Sequence, residues 1–194
     1  MALAKKEIRK IILTKRDSQT IDEMESKSKT ILEKLFEMEE YQKAKNILCF
    51  ISYKSEVITD SLVMRAIKDG KRIFAPRVFG EDMRFFEIRS LQDLKEGYKG
   101  IREPEEDENK EYSLDYKKDY DDSDLILLPG AVFDTSRNRI GYGKGFYDRY
   151  LSSGFKGIKL ALSFDLQIVD AGDFEVGELD VKADFILTER QLIS

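Results

Sequence analysis

Between Arg139 and Asp148 the chain reads RIGYGKGFYD, a run whose residue types suit the holding of a phosphate. Gly141, Gly143 and Gly145 alternate with Tyr142, Lys144 and Phe146, so the backbone can turn tightly and approach a ligand with no Cβ in the way. Successive exposed amides in such a run form an anion nest, and a helix beginning near Phe146 adds its positive end. Arg139 and Lys144 bring full positive charges, while Asp148, in the first turn of that helix, offers a carboxylate to a phosphate-bound Mg²⁺. The pattern is neither Walker A, since no Ser or Thr follows Lys144, nor the dinucleotide fingerprint, whose glycine spacing differs. The glycines alone would fit a turn that binds nothing, and it is the charges beside them that point to a nucleotide.

The chain has 194 residues, no histidine and one cysteine, Cys49. That excludes histidine bases, Ser-His-Asp triads and histidine metal ligands together, and disfavours zinc. Carboxylates, lysine, arginine, tyrosine, hydroxyls and a hard cation held by oxygens remain. Thirty-three basic residues against 38 acidic ones leave a net charge of -5, so no general affinity for nucleic acid or anionic membrane is expected. Any anionic ligand must meet a local basic cluster. Met1–Lys10 is too charged for a secretory signal, and no apolar run approaches the ~20 residues of a membrane span. With its lone cysteine inside an apolar run, a soluble cytoplasmic protein acting as a monomer is expected.

Elements able to position the loop follow from the hydrophobic pattern. Ala4, Ile8, Ile11 and Ile12 recur at helical spacing, and after a break near Ser18 come Ile21, Met24, Ile31, Leu35 and Met38. These predict an N-terminal helical pair, the second helix starting at a capping box of Thr20 and Glu23. Short apolar runs then alternate with helical stretches: strands at 47–51, 72–75, 83–88, 125–128, 158–163 and 185–187, and a helix from about Thr59 to Gly70. The expectation is an α/β fold: one domain over 1–194, with a mixed, mostly parallel sheet of about six strands flanked by helices. The stretch 105–124, dense in charge and tyrosine, reads as a solvated excursion.

The run Pro129-Gly130, Phe133-Asp134 and Arg139 to Asp148 resembles the signature of the 5-formyltetrahydrofolate cyclo-ligases, also called methenyltetrahydrofolate synthetases. Phe146 stands where that family usually has tyrosine. The likeness extends to Lys5-Lys6-Glu7-Ile8-Arg9, similar to the family's N-terminal ATP segment, and to Ser52–Thr59, similar to its folate-contacting turn. It also takes in Gly100-Ile101-Arg102-Glu103-Pro104, preceded by Tyr98 and Lys99, either of which aligns with a family aromatic, and the closing segment Asp180–Glu189, where Leu179 replaces a common histidine. Lys5, Arg9 and Arg16 fall on one side of a helix, which by itself is an ordinary basic face, as Glu56 by itself is an ordinary helix-dipole partner.

The resemblance implies a ligase that uses ATP as co-substrate and Mg²⁺ as cofactor to close 5-formyltetrahydrofolate, with or without a polyglutamate tail, to 5,10-methenyltetrahydrofolate. ATP phosphorylates the formyl oxygen, nitrogen 10 attacks the activated carbon, and phosphate departs with ADP already formed. It implies Arg139, Lys144 and Tyr147 as catalytic residues, and Lys5, Lys6, Glu7, Ile8, Arg9 and 139–147, Ile140 included, at ATP. It places Ile51, Glu56, Tyr142, Gly143, Lys144, Gly145 and Phe146 at folate, and Asp148 and Asp184 at the metal. Phosphoryl transfer needs alignment and charge stabilisation more than a base, so the missing histidine is no obstacle. Another ATP-dependent small-molecule phosphotransferase, or a nucleotide- or folate-binding protein without turnover, are the alternative readings.

Overall fold

The computed structural model describes residues 3–114 and 123–194. In β1 (Asn46–Cys49) and β6 (Leu125–Leu128) every residue is buried, and alternate side chains enter different cores: Ile47, Cys49, Leu125 and Leu127 on one face, Leu48, Ile126 and Leu128 on the other. Strands buried on both faces suit a parallel sheet covered on each side by helices. Each such Leu or Ile contributes roughly 1.5–3 kcal/mol through removal from water.

With β2 (Arg72–Phe79), β3 (Asp82–Ile88), β9 (Ile158–Leu162), β11 (Phe185–Leu187) and β12 (Leu192–Ile193) they form one sheet, ordered β12-β11-β9-β6-β1-β2-β3. The five inner strands run parallel, and β3 and β12 pair antiparallel at the edges. The six strands expected from the sequence all lie here. α2 (Ile21–Glu37) and α4 (Asp60–Lys68) pack Ile31, Leu35, Leu62 and Val63 on one face, and α5 (Phe146–Ser152) packs Tyr150 and Leu151 on the other. The Thr20–Glu23 capping box that starts α2 is present in both its hydrogen bonds. α1 (Lys5–Asp17) lays Ile8 and Ile12 on Val132 and Ile140. A short α3 (Glu39–Lys43) leads into β1.

A small sheet, β10-β7-β8 (Ile168–Val169, Val132–Asp134, Arg139–Ile140), carries the glycine loop. Its hairpin is fixed by the Asp134 carboxylate, which accepts from the amides of Ser136 and Asn138 while Arg137 takes φ +67°. Two short strands, β4 (Leu94–Glu96) and β5 (Arg102–Pro104), pair beside β2.

The reading of 105–124 as a solvated excursion holds for 105–110, which are largely exposed, but not at Tyr112 and Asp124, and 115–122 lie outside the described residues. Tyr112 and Asp124 are buried, joined by a 2.8 Å hydrogen bond, and Asp124 also accepts from Asn46 at 2.9 Å. Charge density concealed these anchors because each polar group is satisfied inside the fold.

Candidate active site

From β1 the chain moves one way along the sheet to β2, and from β6 it moves the other way to β9 and β11. Loops leaving β1 and β6 therefore diverge, and such a switch point at the carboxyl ends of parallel strands opens a crevice. A cleft of ≈ 410 Å³ occupies it, lined by Ile51 and Glu56 after β1, Pro129 after β6, Arg139, Gly141, Tyr142 and 144–148, and Tyr98, Lys99 and Glu103 near β5; Ile140, expected at ATP, is instead buried against α1. Three segments remote in sequence thus share one cleft.

On the β1 side, Glu56 is held from two directions. Its Oε2 accepts from the Tyr53 amide at 2.9 Å, and its Oε1 accepts from the Tyr142 hydroxyl at 2.5 Å. Burial raises the Glu56 carboxyl above its ordinary range, against the lowering pull of Tyr142, Tyr53 and the Arg16 charge. Burial and the Glu56 charge push the Tyr142 phenol far upward, so that hydroxyl keeps its proton and donates it. Ile51 is buried beside this turn. Across the cleft Tyr98 meets the Phe146 ring edge-on at 5.9 Å, and Lys99 reaches the same space from a left-handed backbone with φ +54°. Glu103 is buried and accepts from the Val78 amide at 3.2 Å; a Cβ at Gly97 would stand 2.3 Å from its carboxylate.

On the glycine-loop side, Arg139 is almost wholly buried. Its Nη2 donates to Asp148 Oδ1 at 2.7 Å and its Nη1 to the Pro129 carbonyl at 3.3 Å, while its Nε has no partner among the described residues. Gly143 has φ +93°, and the space a Cβ would need is taken by Arg9, whose Nη1 lies 3.3 Å from that point. Lys144 is exposed, and Tyr147 packs between Phe85 and the Arg139 guanidinium at 6.3 and 5.8 Å. Burial first, then the Glu56 charge, raises the Tyr147 phenol well above its ordinary range, which keeps it neutral. α5 spans only seven residues, and the full positive charges beside the loop include those of Arg9, Arg139 and Lys144.

The expected ATP segment of α1 lies along this loop unevenly. Lys5 pairs with Asp180 and Arg9 reaches Gly143, whereas Lys6 and Glu7 face solvent and Ile8 is buried under the small sheet. Arg16, which sequence placed on the same basic face, is only 4% exposed and lines the cleft.

The two aspartates expected at the metal are not brought together. Asp148 lines the cleft, but Asp184 precedes β11 at the amino ends of the strands, where its Oδ2 accepts from the Lys159 amide and ammonium, both at 2.8 Å. The carboxylate that does approach is Asp180. It pairs with Lys5, and the amide of the next residue, Val181, donates to Asp148 Oδ1 at 3.2 Å. Burial pulls the Asp180 carboxyl upward, yet the Lys5 and Gly177 hydrogen bonds with the Lys5 and Arg139 charges outweigh it, leaving it below its ordinary range. Both aspartates sit in Asp180–Glu189, and only the path of the loop before β11 separates their positions. Among the described residues no three His, Cys, Asp or Glu side chains form a metal cage, and no helix is long and apolar enough to cross a membrane.

The family model described as 5-formyltetrahydrofolate cyclo-ligase matches residues 2–189. A mouse protein named 5-formyltetrahydrofolate cyclo-ligase is 30% identical over 196 residues, 96% of this chain and 94% of the mouse protein. A Caenorhabditis elegans protein named as a probable 5-formyltetrahydrofolate cyclo-ligase is 28% identical over 200 residues, 97% and 94% of the two chains. The NMR structure of Aquifex aeolicus 5,10-methenyltetrahydrofolate synthetase superposes with a TM-score of 0.82 at 28% identity, covering 97% of this chain and 91% of that one. A match running almost end to end, on a chain whose glycine loop and Glu56 turn close on one cleft, shows that this protein belongs to the 5-formyltetrahydrofolate cyclo-ligase family.

Proposed function

We propose that this protein closes 5-formyltetrahydrofolate to 5,10-methenyltetrahydrofolate at the expense of ATP, in the presence of Mg²⁺. The observation that carries this reading is the placement of Glu56 in the same cleft as Arg139 and Lys144. Glu56 can accept hydrogen bonds from the amino-pyrimidine edge of a pterin, while the cations suit a triphosphate. Oxide is a poor leaving group, so the formyl oxygen is phosphorylated first; nitrogen 10 then attacks the formyl carbon and phosphate departs. Arg139, Lys144 and Arg9 stabilise the phosphates, Gly141, Gly143 and Gly145 let the backbone come close, and Tyr147 donates a hydrogen bond from the wall of the cleft.

The donor set fits a magnesium ion carried by phosphates. Asp148 offers a hard oxygen at the cleft, with Oδ1 already engaged by Arg139 and Val181, and Asp180 adjoins it. A phosphate-bound Mg²⁺ usually takes only one or two protein carboxylates, and when bound it offsets negative charge on the transferring phosphoryl group. A monomer is proposed, and the buried Cys49 thiol suits the reducing cytoplasm.

Incubation with ATP, Mg²⁺ and 5-formyltetrahydrofolate, followed by near-ultraviolet absorbance, is expected to show methenyl product that requires both ATP and a divalent cation. Equal product without ATP would sink the ligase reading.

Glu56→Gln is expected to weaken 5-formyltetrahydrofolate binding roughly tenfold, the worth of a hydrogen bond to a charged group, with a much smaller effect on ATP. Its effect on stability depends on pH. The folded-state pKa of Glu56 is raised, so its contribution to stability is fully present below the unfolded value and is lost as pH rises through the folded one. Glutamine removes that loss but offers one oxygen to the two donors, the Tyr53 amide and the Tyr142 hydroxyl, so the fall in melting temperature is expected to be smaller at neutral pH than in weakly acid solution. Titration calorimetry with each ligand and a melt series across weakly acid pH check both statements; equal losses of ATP and folate affinity would make Glu56 a structural residue.

A further inference from the structure

Arg16 brings a buried positive charge to the cleft without an ion pair of its own among the described residues. Its Nε donates to Ser55 Oγ at 3.0 Å, and its Nη1 donates to the Tyr142 hydroxyl at 2.7 Å and to the Gly130 carbonyl at 3.3 Å. The Ser55 hydroxyl in turn donates a hydrogen bond to Asp17 Oδ1. Tyr142 in turn donates to Glu56 Oε1 at 2.5 Å, so one phenol stands between a guanidinium and a carboxylate. Those three residues come from α1, the glycine loop and the turn after β1, with 126 and 86 positions separating Tyr142 from Arg16 and Glu56. The guanidinium also lies 5.5 Å from the Tyr142 ring centre.

We propose that Arg16 is a positioning residue for Glu56, acting through the Tyr142 hydroxyl, and that this relay ties the glycine loop to the folate-recognising turn. It rests on the folate role proposed above for Glu56. A phenol that accepts from a guanidinium is polarised and becomes a stronger donor, so the relay holds Oε1 in one place and favours the ionised carboxylate. Two oxygens fixed by Tyr53 and Tyr142 leave the remaining lone pairs in a set direction for the N–H donors of a pterin. Nothing in this arrangement requires Arg16 to touch substrate.

The groups around Glu56 are few enough to interpret a titration. Arg16 faces it from α1 through Tyr142, with Asp17 behind Ser55; Tyr53 and Lys54 adjoin it in its own turn; Tyr147 and Arg139 line the opposite wall with Lys144. Of these, Tyr142 and Tyr147 are held neutral, so a change in folate affinity in the weakly acid range that Glu56→Gln abolishes belongs to Glu56.

The test measures 5-formyltetrahydrofolate binding by the whole protein without nucleotide, across weakly acid to neutral pH, for Tyr142→Phe, Arg16→Met, their double variant and Glu56→Gln. Tyr142→Phe is expected to weaken binding about fivefold at neutral pH and to move the acid limb of the affinity profile to higher pH, since a carboxylate without its donor protonates sooner. Arg16→Met is expected to act in the same direction, and the double variant to match the stronger single, because the two residues act in series. Should Arg16→Met fail to fold, Tyr142→Phe alone decides through its pH profile. An unmoved acid limb in Tyr142→Phe, or strictly additive losses in the double variant, would overturn the relay while leaving the folate role intact if Glu56→Gln still binds poorly. Parent-like binding by Glu56→Gln would remove the folate role itself and the relay with it.

Discussion

Arg139→Met is expected to lower turnover by about 10³-fold, the scale on which a fixed charge at a transferring phosphoryl group acts. The guanidinium is buried, it is braced by Asp148 at 2.7 Å and the Pro129 carbonyl, and it is packed under Tyr147, so it is pre-set at the point proposed above for the triphosphate. Methionine fills similar volume but leaves Asp148 without its partner, and breaking a buried pair costs about 3–5 kcal/mol. Loss of activity could therefore reflect loss of fold. Arg139→Lys separates the two: lysine keeps the charge near Asp148 and should recover most of the melting temperature. A point charge cannot serve carboxylate and phosphate as a planar fork does, so turnover is expected to stay about 10²-fold down. Steady-state kinetics beside thermal melts check this: near-parent turnover in a folded Arg139→Met would take Arg139 out of the chemistry, and near-parent turnover in Arg139→Lys would reduce its part to charge alone.

Apolar runs made the strands legible, because a strand buried on both faces must be continuously apolar, as Leu125–Leu128 is. The edge strand Leu192–Ile193 was missed, being two residues long and formed by a turn closed on the Thr188 hydroxyl. The small sheet under the glycine loop was missed for a similar reason: Ile168–Val169 is a strand only because Val132–Asp134 lies beside it. In the site, glycines and cations at 139–148 marked the loop that lines the cleft, since local spacing is enough for that. Partnerships across the cleft were not declared. Neither Tyr142 nor Arg16 carries a local mark of its link to Glu56, and burial turned a basic helix face, solvated by appearance, into an internal support. The same limit explains Asp180 and Asp184, whose surroundings depend on how the loop before β11 runs past α5.

A magnesium titration of activity is expected to separate the three aspartates. In Asp148→Asn the cation requirement should rise at least tenfold and the rate at saturating Mg²⁺ should fall about 10²-fold, because the carboxylate is lost both as an oxygen donor and as the brace of Arg139. That brace makes the variant less innocent than a surface change: a buried guanidinium is left facing a neutral amide, and the melting temperature is expected to drop. Asp180→Asn is the cleaner arm. Its side chain is partly exposed, its loss frees Lys5, and the Arg139–Asp148 pair stays whole, so the cation requirement should rise with little change in melting temperature. Asp184→Asn disturbs an ion pair with Lys159 whose partners are partly exposed, and surface pairs contribute about 0–1 kcal/mol, so both readouts should stay near the parent. If instead Asp184→Asn raised the magnesium requirement and Asp180→Asn did not, the carboxylate set proposed for the metal would be wrong, and Asp184 would have to leave Lys159 when the nucleotide binds.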